Sequence, residues 1–132
     1  MDEATYQVGT AKEVRALHLM PGVEGPEGQL HAHDYRIELL IERTTLGDEG
    51  MVCDLDLLDG ALSDIIDRVR DRDLETIRPV DAEAVTVEIF ARWVHGAIAA
   101  AVRSAGGETL TVRVWESPVA FGGYRATVGS LD

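Results

Sequence analysis

Cysteine, lysine and long apolar segments are scarce or absent in this sequence. The single cysteine, Cys53, excludes an intrachain disulfide and is consistent with a reducing compartment. No apolar run reaches the roughly 20 residues of a membrane helix, so we expect no membrane span. The beginning, "MDEATYQVGT", has neither a basic start nor an apolar signal region. Together these absences predict a cytoplasmic protein.

Basic residues are also few, and all but Lys12 are arginines. The chain has 12 basic and 24 acidic residues, a formal net charge of -12. Binding to phosphate-rich surfaces requires a basic footprint, which this composition does not provide. We therefore expect no nucleic acid and no anionic membrane as partners. A small anionic substrate held by a local basic cluster remains compatible with the charge.

The 132 residues, 45% of them apolar, predict a single domain over residues 1–132 with one core. Polar–apolar periodicity divides the chain into two strands, two helices and two further strands. The predicted segments are a strand ending near residue 19, a strand over 32–45, helices within 51–69 and over 81–107, and strands at 108–117 and 122–130 around the turn "SPVAFG". This order, without alternating strand–helix–strand units, predicts an α+β fold with an antiparallel sheet.

Two aspartates are the expected caps of the helices. Asp54 precedes the first helix and Asp81 the second, and both can accept a hydrogen bond from a free backbone N–H. The apolar face expected for the second helix consists of Val85, Ile89, Trp93, Ala97 and Ala100. His95 lies away from that face and is predicted to be a surface or subunit-contact histidine.

A His-x-His pair opens the second predicted strand, in "QLHAHDYRIELLIE". Side chains two residues apart in a strand share a face, so His31 and His33 project together. The same face continues as an apolar row of Tyr35, Ile37, Leu39 and Ile41. The pair is either half of a zinc site or two ordinary strand histidines. If the first two strands form a hairpin, His18 faces the pair, and three imidazoles with an open fourth position are typical of a catalytic zinc site.

Five short motifs occur in a fixed order along the chain. They are "VRALHLM", ending the first strand in a histidine, "HAHDYR", "GMVCDLDLL", "PVDAEAVTVEIFARWV" and "VRVWESPVAFGGYRA". Together they resemble the 6-pyruvoyltetrahydropterin synthase and 6-carboxytetrahydropterin synthase family, which has the tunnelling fold. The resemblance implies a four-stranded antiparallel sheet with two helices on one face, in the order ββααββ. It also implies homotrimers or homohexamers that close a β-barrel, with the substrate site between subunits.

The resemblance also implies roles for four residues. His18, His31 and His33 would bind Zn²⁺, which in the family polarises side-chain oxygens of a pterin substrate. Glu116 matches the glutamate that anchors the pterin ring. A carboxylate suits that role because it can accept two parallel N–H bonds from an aminopyrimidine edge.

The sequence departs from the family where a cysteine normally serves as the proton-transfer base. The corresponding position, four residues before His31, is Glu27, and Glu24 lies close by. Some family members carry a glutamate in this loop, and a carboxylate near zinc can act as a general base. Glu27 is therefore the predicted catalytic base, with Glu24 as the alternative. Cys53 lies elsewhere and is expected to be a small buried residue.

A second departure affects the Asp-His pair that completes the family's proton relay. The matching stretch is "VRDRDLE", residues 69–75, which places Arg70 and Asp71 there, or Asp71 and Arg72 after a shift of one. Arginine stays protonated and cannot relay protons, whereas an aspartate can. Asp71 is therefore a second predicted catalytic residue. Arg70 or Arg72 is predicted to bind a carboxylate or phosphate of the substrate.

Three functions are compatible with these features. The first is a zinc-dependent lyase acting on a pterin-like substrate. The second is a family member repurposed for a non-pterin lyase, aldolase or cyclase reaction in a specialised biosynthetic pathway. The third is a non-catalytic zinc-binding homologue.

Overall fold

The computed structural model describes residues 4–129, which form four strands and two long helices. The elements in chain order are β1 (Tyr6–His18), β2 (His31–Arg43), α1 (Leu55–Val69), α2 (Val87–Ser104), β3 (Thr109–Ser117) and β4 (Ala120–Thr127). The strands form one antiparallel sheet in the order β1-β2-β3-β4. The predicted α+β fold class and the order ββααββ are confirmed.

Both helices cover the same face of the sheet, which carries the buried apolar rows of the strands. Residues on it alternate with polar residues that point the other way, as the pleat requires. On β2 the row of Tyr35, Ile37, Leu39 and Ile41 is 3% exposed or less. This confirms the predicted face, and it also fixes the side on which His31 and His33 project.

The first helix follows the sequence prediction closely. Asp54 is its N-cap, and the side chain accepts a 2.9 Å hydrogen bond from the backbone N–H of Asp56. Its buried residues recur at intervals of three and four, as the predicted periodicity requires: Leu58, Leu62, Ile65, Ile66 and Val69. Leu55, which the same pattern includes, is only half-buried.

The predicted cap and apolar face of the second helix are wrong. The helix begins at Val87, and its N-cap is Thr86, whose side chain accepts a hydrogen bond from the N–H of Ile89. Asp81 instead lies in the connection and accepts a hydrogen bond from Arg92. The buried face is rotated relative to the predicted one and consists of Phe90, Ala91, Val94, His95, Ile98 and Val102.

The prediction for His95 is wrong for the same reason. His95 is only 6% exposed, and its Nε2 lies 3.2 Å from the carbonyl oxygen of Ala126 on β4. Its ring packs edge-on against Tyr124, with ring centroids 5.0 Å apart. His95 therefore joins α2 to β4 inside one chain.

The last hairpin is tighter than predicted. Ser117 pairs with Ala120, so the loop contains only Pro118 and Val119. Ala120 and Phe121, expected in the turn, belong to β4, which ends at Thr127. The strand β2 also ends at Arg43, two residues before its predicted end. Within residues 4–129 no helix is long and apolar enough to span a membrane.

Candidate active site

Three of the four histidines meet at one end of the sheet. His18 ends β1 and is the direct antiparallel partner of His31, which begins β2. His33 lies two residues further on the same face. One ring nitrogen from each histidine can be chosen so that all three lie within 4.8 Å of one another. The structure thus brings together the three imidazoles that the sequence analysis assigned to the metal.

Hydrogen bonds leave the inward nitrogens of these rings available. The Nδ1 of His31 lies 2.7 Å from the carbonyl oxygen of Gln29, which can only accept, so Nδ1 carries the proton. The Nε2 atoms of His31 and His33 lie 2.8 Å apart and face each other. The Nε2 of His18 is buried, and no atom of residues 4–129 hydrogen bonds to it. An orphaned buried nitrogen beside two converging ones fits a zinc site, because metal-binding histidines typically donate their other N–H to a carbonyl.

The local environment favours the neutral form of His18, which is the form that binds a metal. Burial lowers the pKa of His18, and the neighbouring His31 and His33 lower it further. A hydrogen bond with the backbone of Val85 and the charge of Glu27 act in the opposite direction, but the net effect is a decrease.

The predicted base, Glu27, lies beside this cluster. Its Oε2 is 3.4 Å from the Nε2 of His31. The loop holds Glu27 there through its own carbonyl, which accepts a 2.9 Å hydrogen bond from the N–H of Met20. The next residue must be glycine, since a Cβ on Gly28 would lie 1.7 Å from the carbonyl oxygen of Val23. Glu24, the alternative base, is exposed and does not line the cavity described next.

Glu27 and Glu116 share one cavity with two of the three clustered histidines. It has a volume of about 220 Å³, and His18, His33, Glu27 and Glu116 are among the residues that line it. Glu116 lies near the end of β3 and is exposed. The structure therefore brings the predicted ring anchor, the predicted base and two of the predicted metal ligands to one site.

The first turn of α2 also borders the cavity, which the sequence analysis did not foresee. The cavity wall includes Thr86, Val87 and Glu88 of this turn. The turn can pack closely on β4 because residue 122 is a glycine and has no side chain. A Cβ on Gly122 would lie 2.5 Å from a methyl carbon of Val87. The sequence feature that indicates this helix start is Thr86, a capping residue directly before an apolar helical segment. The prediction placed the cap at Asp81 instead.

Tyr35 lines the same cavity from β2. It is 3% exposed and packs between His33 and Phe90, with ring centroids 5.6 and 5.4 Å from its own. Burial raises the pKa of its hydroxyl, and the nearby carboxylates of Glu116 and Glu27 raise it further. Tyr35 therefore remains a neutral O–H donor.

Arg70 and Asp71 do not reach the cavity of their own chain. Arg70 follows α1 and pairs with Asp67, while Asp71 adopts a φ of 58° and is exposed. Backbone hydrogen bonds hold this segment against the open edge of β1: Asp71 donates to Arg15, and Leu17 donates to Arg72. Within one chain Arg70 and Asp71 therefore cannot contact a substrate bound in the cavity, as their predicted roles require.

Cys53 is also remote from the cavity, as expected. It is buried just before α1, and burial raises the pKa of its thiol, with Asp54 adding to the increase. A cleft of about 540 Å³ lies beside it, with Tyr6, Leu46 and Met51 in its wall. That cleft contains none of the three converging histidines, so its greater size does not make it the active site.

Comparison with a protein-family model identifies the chain. Residues 7–127 match the model of 6-pyruvoyl tetrahydropterin synthase. The chain belongs to this family, whose members are lyase-type enzymes. Among curated proteins, none matches the sequence.

Solved structures of the family share the fold. The Plasmodium vivax 6-pyruvoyl tetrahydropterin synthase is 12% identical with a TM-score of 0.70, over 94% of this chain and 98% of that one. The Caenorhabditis elegans enzyme is 18% identical with a TM-score of 0.66, over 96% and 99% of the two chains. Two further P. vivax structures are variants in which a glutamate described as a catalytic residue is replaced by cysteine or alanine. At such identities the likeness establishes the fold, and it leaves the reaction of this chain to its own residues.

Proposed function

We propose that this chain is a zinc-dependent lyase that acts on a pterin-like substrate and uses Glu27 as its base. The observation that carries the proposal is the one cavity that Glu27, Glu116 and two of the three clustered histidines, His18 and His33, border. It offers a metal site, an adjacent proton acceptor and an anchor for a nitrogen-rich ring, which are the parts such a reaction needs. The P. vivax homologue, which also uses a catalytic glutamate, supports the choice of base.

His18, His31 and His33 would hold the zinc ion. Three imidazoles leave a fourth position for water or substrate, as in catalytic zinc sites. When bound, zinc supplies a Lewis acid that polarises a substrate oxygen.

The side chains around the metal site have separable roles. Glu116 accepts hydrogen bonds from the amino and ring N–H groups of the heterocycle and so fixes its orientation. Glu27, 3.4 Å from His31, is placed to take a proton from the substrate side chain at the metal end. The N-terminal turn of α2 borders the same cavity, and its dipole favours the negative charge that develops when the proton leaves.

The ring-anchoring role of Glu116 predicts a specific loss of binding. Glu116→Gln should weaken the binding of neopterin by ~10–100-fold, because the substitution removes a charged acceptor from a ring N–H pair. The measurement is quenching of neopterin fluorescence by the zinc-loaded protein. Glu49→Gln changes an exposed turn glutamate and should leave binding unchanged. Equal affinities of the Glu116 variant and the wild type for neopterin would contradict the role of Glu116 as the ring anchor.

The cavity of one chain is small for a substrate-binding site. Its volume of about 220 Å³ lies below the roughly 300–1,000 Å³ of typical ligand sites. Arg70 and Asp71 are exposed at the outer edge of β1, to which the 71–73 segment hydrogen bonds, so a copy that packs on this edge would meet them. We propose that a second subunit completes the site, with Asp71 as a relay acid and Arg70 or Arg72 as an anion-binding group.

This arrangement predicts assembly through the two sheet edges. Within residues 4–129, β4 pairs on one side only, and the outer edge of β1 pairs only near its end with the 71–73 segment; proteins normally cover such edges. We expect homotrimers that close a β-barrel, or homohexamers of two stacked trimers. Light scattering at micromolar concentration measures this directly, and a monomer there would contradict the shared site.

The changed relay positions also favour a second candidate function. Arg70 and Asp71 occupy the positions where the family has an aspartate and a histidine. A chain without that pair is compatible with a non-pterin lyase, aldolase or cyclase reaction in a specialised biosynthetic pathway. Binding of a non-pterin ligand to Glu116 in preference to neopterin would favour this alternative. A zinc-replete protein that turns over neither kind of substrate would instead be a non-catalytic homologue.

A further inference from the structure

Tyr35 lies between the two ends of the cavity. On β2 it is two residues beyond His33 on the same face. Its neighbour Arg36 pairs with Trp115, the last pair of the β2–β3 ladder, so one step further along both strands are Tyr35 and Glu116. The tyrosine is thus next to a predicted metal ligand on its own strand and next to the predicted ring anchor across the sheet.

Within residues 4–129 no hydrogen bond to the hydroxyl of Tyr35 is seen, and this oxygen is not among the fully buried side-chain atoms that lack a partner, which are those of His18, Arg43 and Trp115. The tyrosine is 3% exposed, and it lines the cavity. A hydroxyl without a protein partner on a cavity wall is free to donate a hydrogen bond to a ligand in that cavity.

The carboxylates of the cavity do not supply the same group. Glu27, Glu88 and Glu116 only accept hydrogen bonds when ionised. The hydroxyl oxygen of Thr86 accepts the N–H of Ile89 as the helix cap, which fixes the side chain at the start of α2 and leaves its O–H able to donate. Tyr35 and Thr86 are thus the described lining residues with a hydroxyl that can donate, and Tyr35 is the one that the strand register places beside Glu116.

We propose that the Tyr35 hydroxyl donates a hydrogen bond to an acceptor atom of the substrate ring, beside the N–H groups that Glu116 accepts. Together the two residues recognise a planar heterocycle in which an acceptor adjoins two donors, the pattern of a 2-amino-4-oxopyrimidine edge. Tyr35 is thus a specificity-determining residue at the ring end of the site. The inference rests on the proposed function, since Glu116 must anchor such a ring.

A purely structural role makes a different prediction. The ring of Tyr35 packs edge-on against Phe90, and a phenylalanine would preserve that contact. If packing were its only role, Tyr35→Phe would leave ligand binding unchanged, because the substitution removes only the hydroxyl.

The test compares two ligands on the zinc-loaded variant. Tyr35→Phe should weaken binding of neopterin roughly 3–10-fold, and binding of unsubstituted pterin, which lacks the side chain, by the same factor. Zinc content and melting temperature should match the wild type. Tyr124→Phe removes a hydroxyl on β4, where Tyr124 packs against His95, and should leave both affinities unchanged. Fluorescence titration measures all of them.

The outcomes separate this inference from the function on which it rests. Equal affinities for Tyr35→Phe and wild type would overturn the inference while leaving the pterin site in place. A loss for neopterin alone would also overturn it, since the hydroxyl would then contact the side chain rather than the ring. Failure of the wild type to bind either pterin would overturn the proposed function and the inference with it.

Discussion

Glu27→Gln should lower the turnover number of the zinc-loaded protein by ~10²–10⁴ while zinc and substrate remain bound. Glutamine keeps the shape of the side chain and can still hydrogen bond, but it cannot take up a proton. The carboxylate lies 3.4 Å from the Nε2 of His31, so its loss removes a proton acceptor beside the metal site without removing a ligand. Single-turnover kinetics with a pterin substrate separate this loss from any change in binding.

Glu24→Gln is the matched control in the same loop. Glu24 is exposed and lies outside the cavity, so its variant should retain full turnover. Loss of turnover in the Glu24 variant, with full turnover in the Glu27 variant, would transfer the base to Glu24. Full turnover in both would exclude the loop carboxylates and leave Asp71 of a neighbouring subunit as the candidate.

His31→Ala should lower the zinc content of the purified protein from about one ion per chain to nearly none. Each imidazole is one of only three protein ligands in the proposed tetrahedral site. Losing a group that merely orients a ligand costs ~10–100-fold in metal affinity, and losing a ligand itself costs more. Turnover should fall with the zinc. Metal analysis by mass spectrometry after purification without chelators gives the result.

His95→Gln is the control for general effects of losing a histidine. His95 is buried between α2 and β4, and its Nε2 lies 3.2 Å from the carbonyl oxygen of Ala126, a contact that the glutamine amide can replace. This variant should keep its zinc. Retention of full zinc by His31→Ala would contradict the assignment of His31 as a ligand.

The sheet and the histidine cluster were predictable because strand periodicity is local. Alternation along β2 places His31 and His33 on the face of the apolar row, whatever the rest of the chain does. His18 joined them only through the assumption that β1 and β2 form a hairpin. The register that pairs His18 with His31 confirms that assumption.

The errors in α2 arose where tertiary packing chose between two plausible local structures. Asp81 and Thr86 are both good capping residues, and the sequence does not say which one the helix uses. In the structure Val85 is buried and its backbone hydrogen bonds with His18, which holds residue 85 outside the helix. The face of α2 that packs on the sheet includes Phe90, Val94 and Ile98, and His95 on that face meets β4, a long-range contact without a sequence signature.

The roles of Arg70 and Asp71 were beyond prediction for a different reason. Their positions follow from the family resemblance, and within one chain they lie at an open strand edge outside the cavity. Their proposed contribution depends on which surface a second copy brings to that edge. Neither periodicity nor the fold of a single chain determines this.

The most direct test of the zinc-dependent pterin site is a crystal structure of the zinc-loaded protein soaked with neopterin. Anomalous scattering should place one zinc ion between His18, His31 and His33, and difference density should show the pterin ring on the carboxylate of Glu116. Metal-free histidines in zinc-replete crystals, or a pterin bound away from Glu116, would contradict the account.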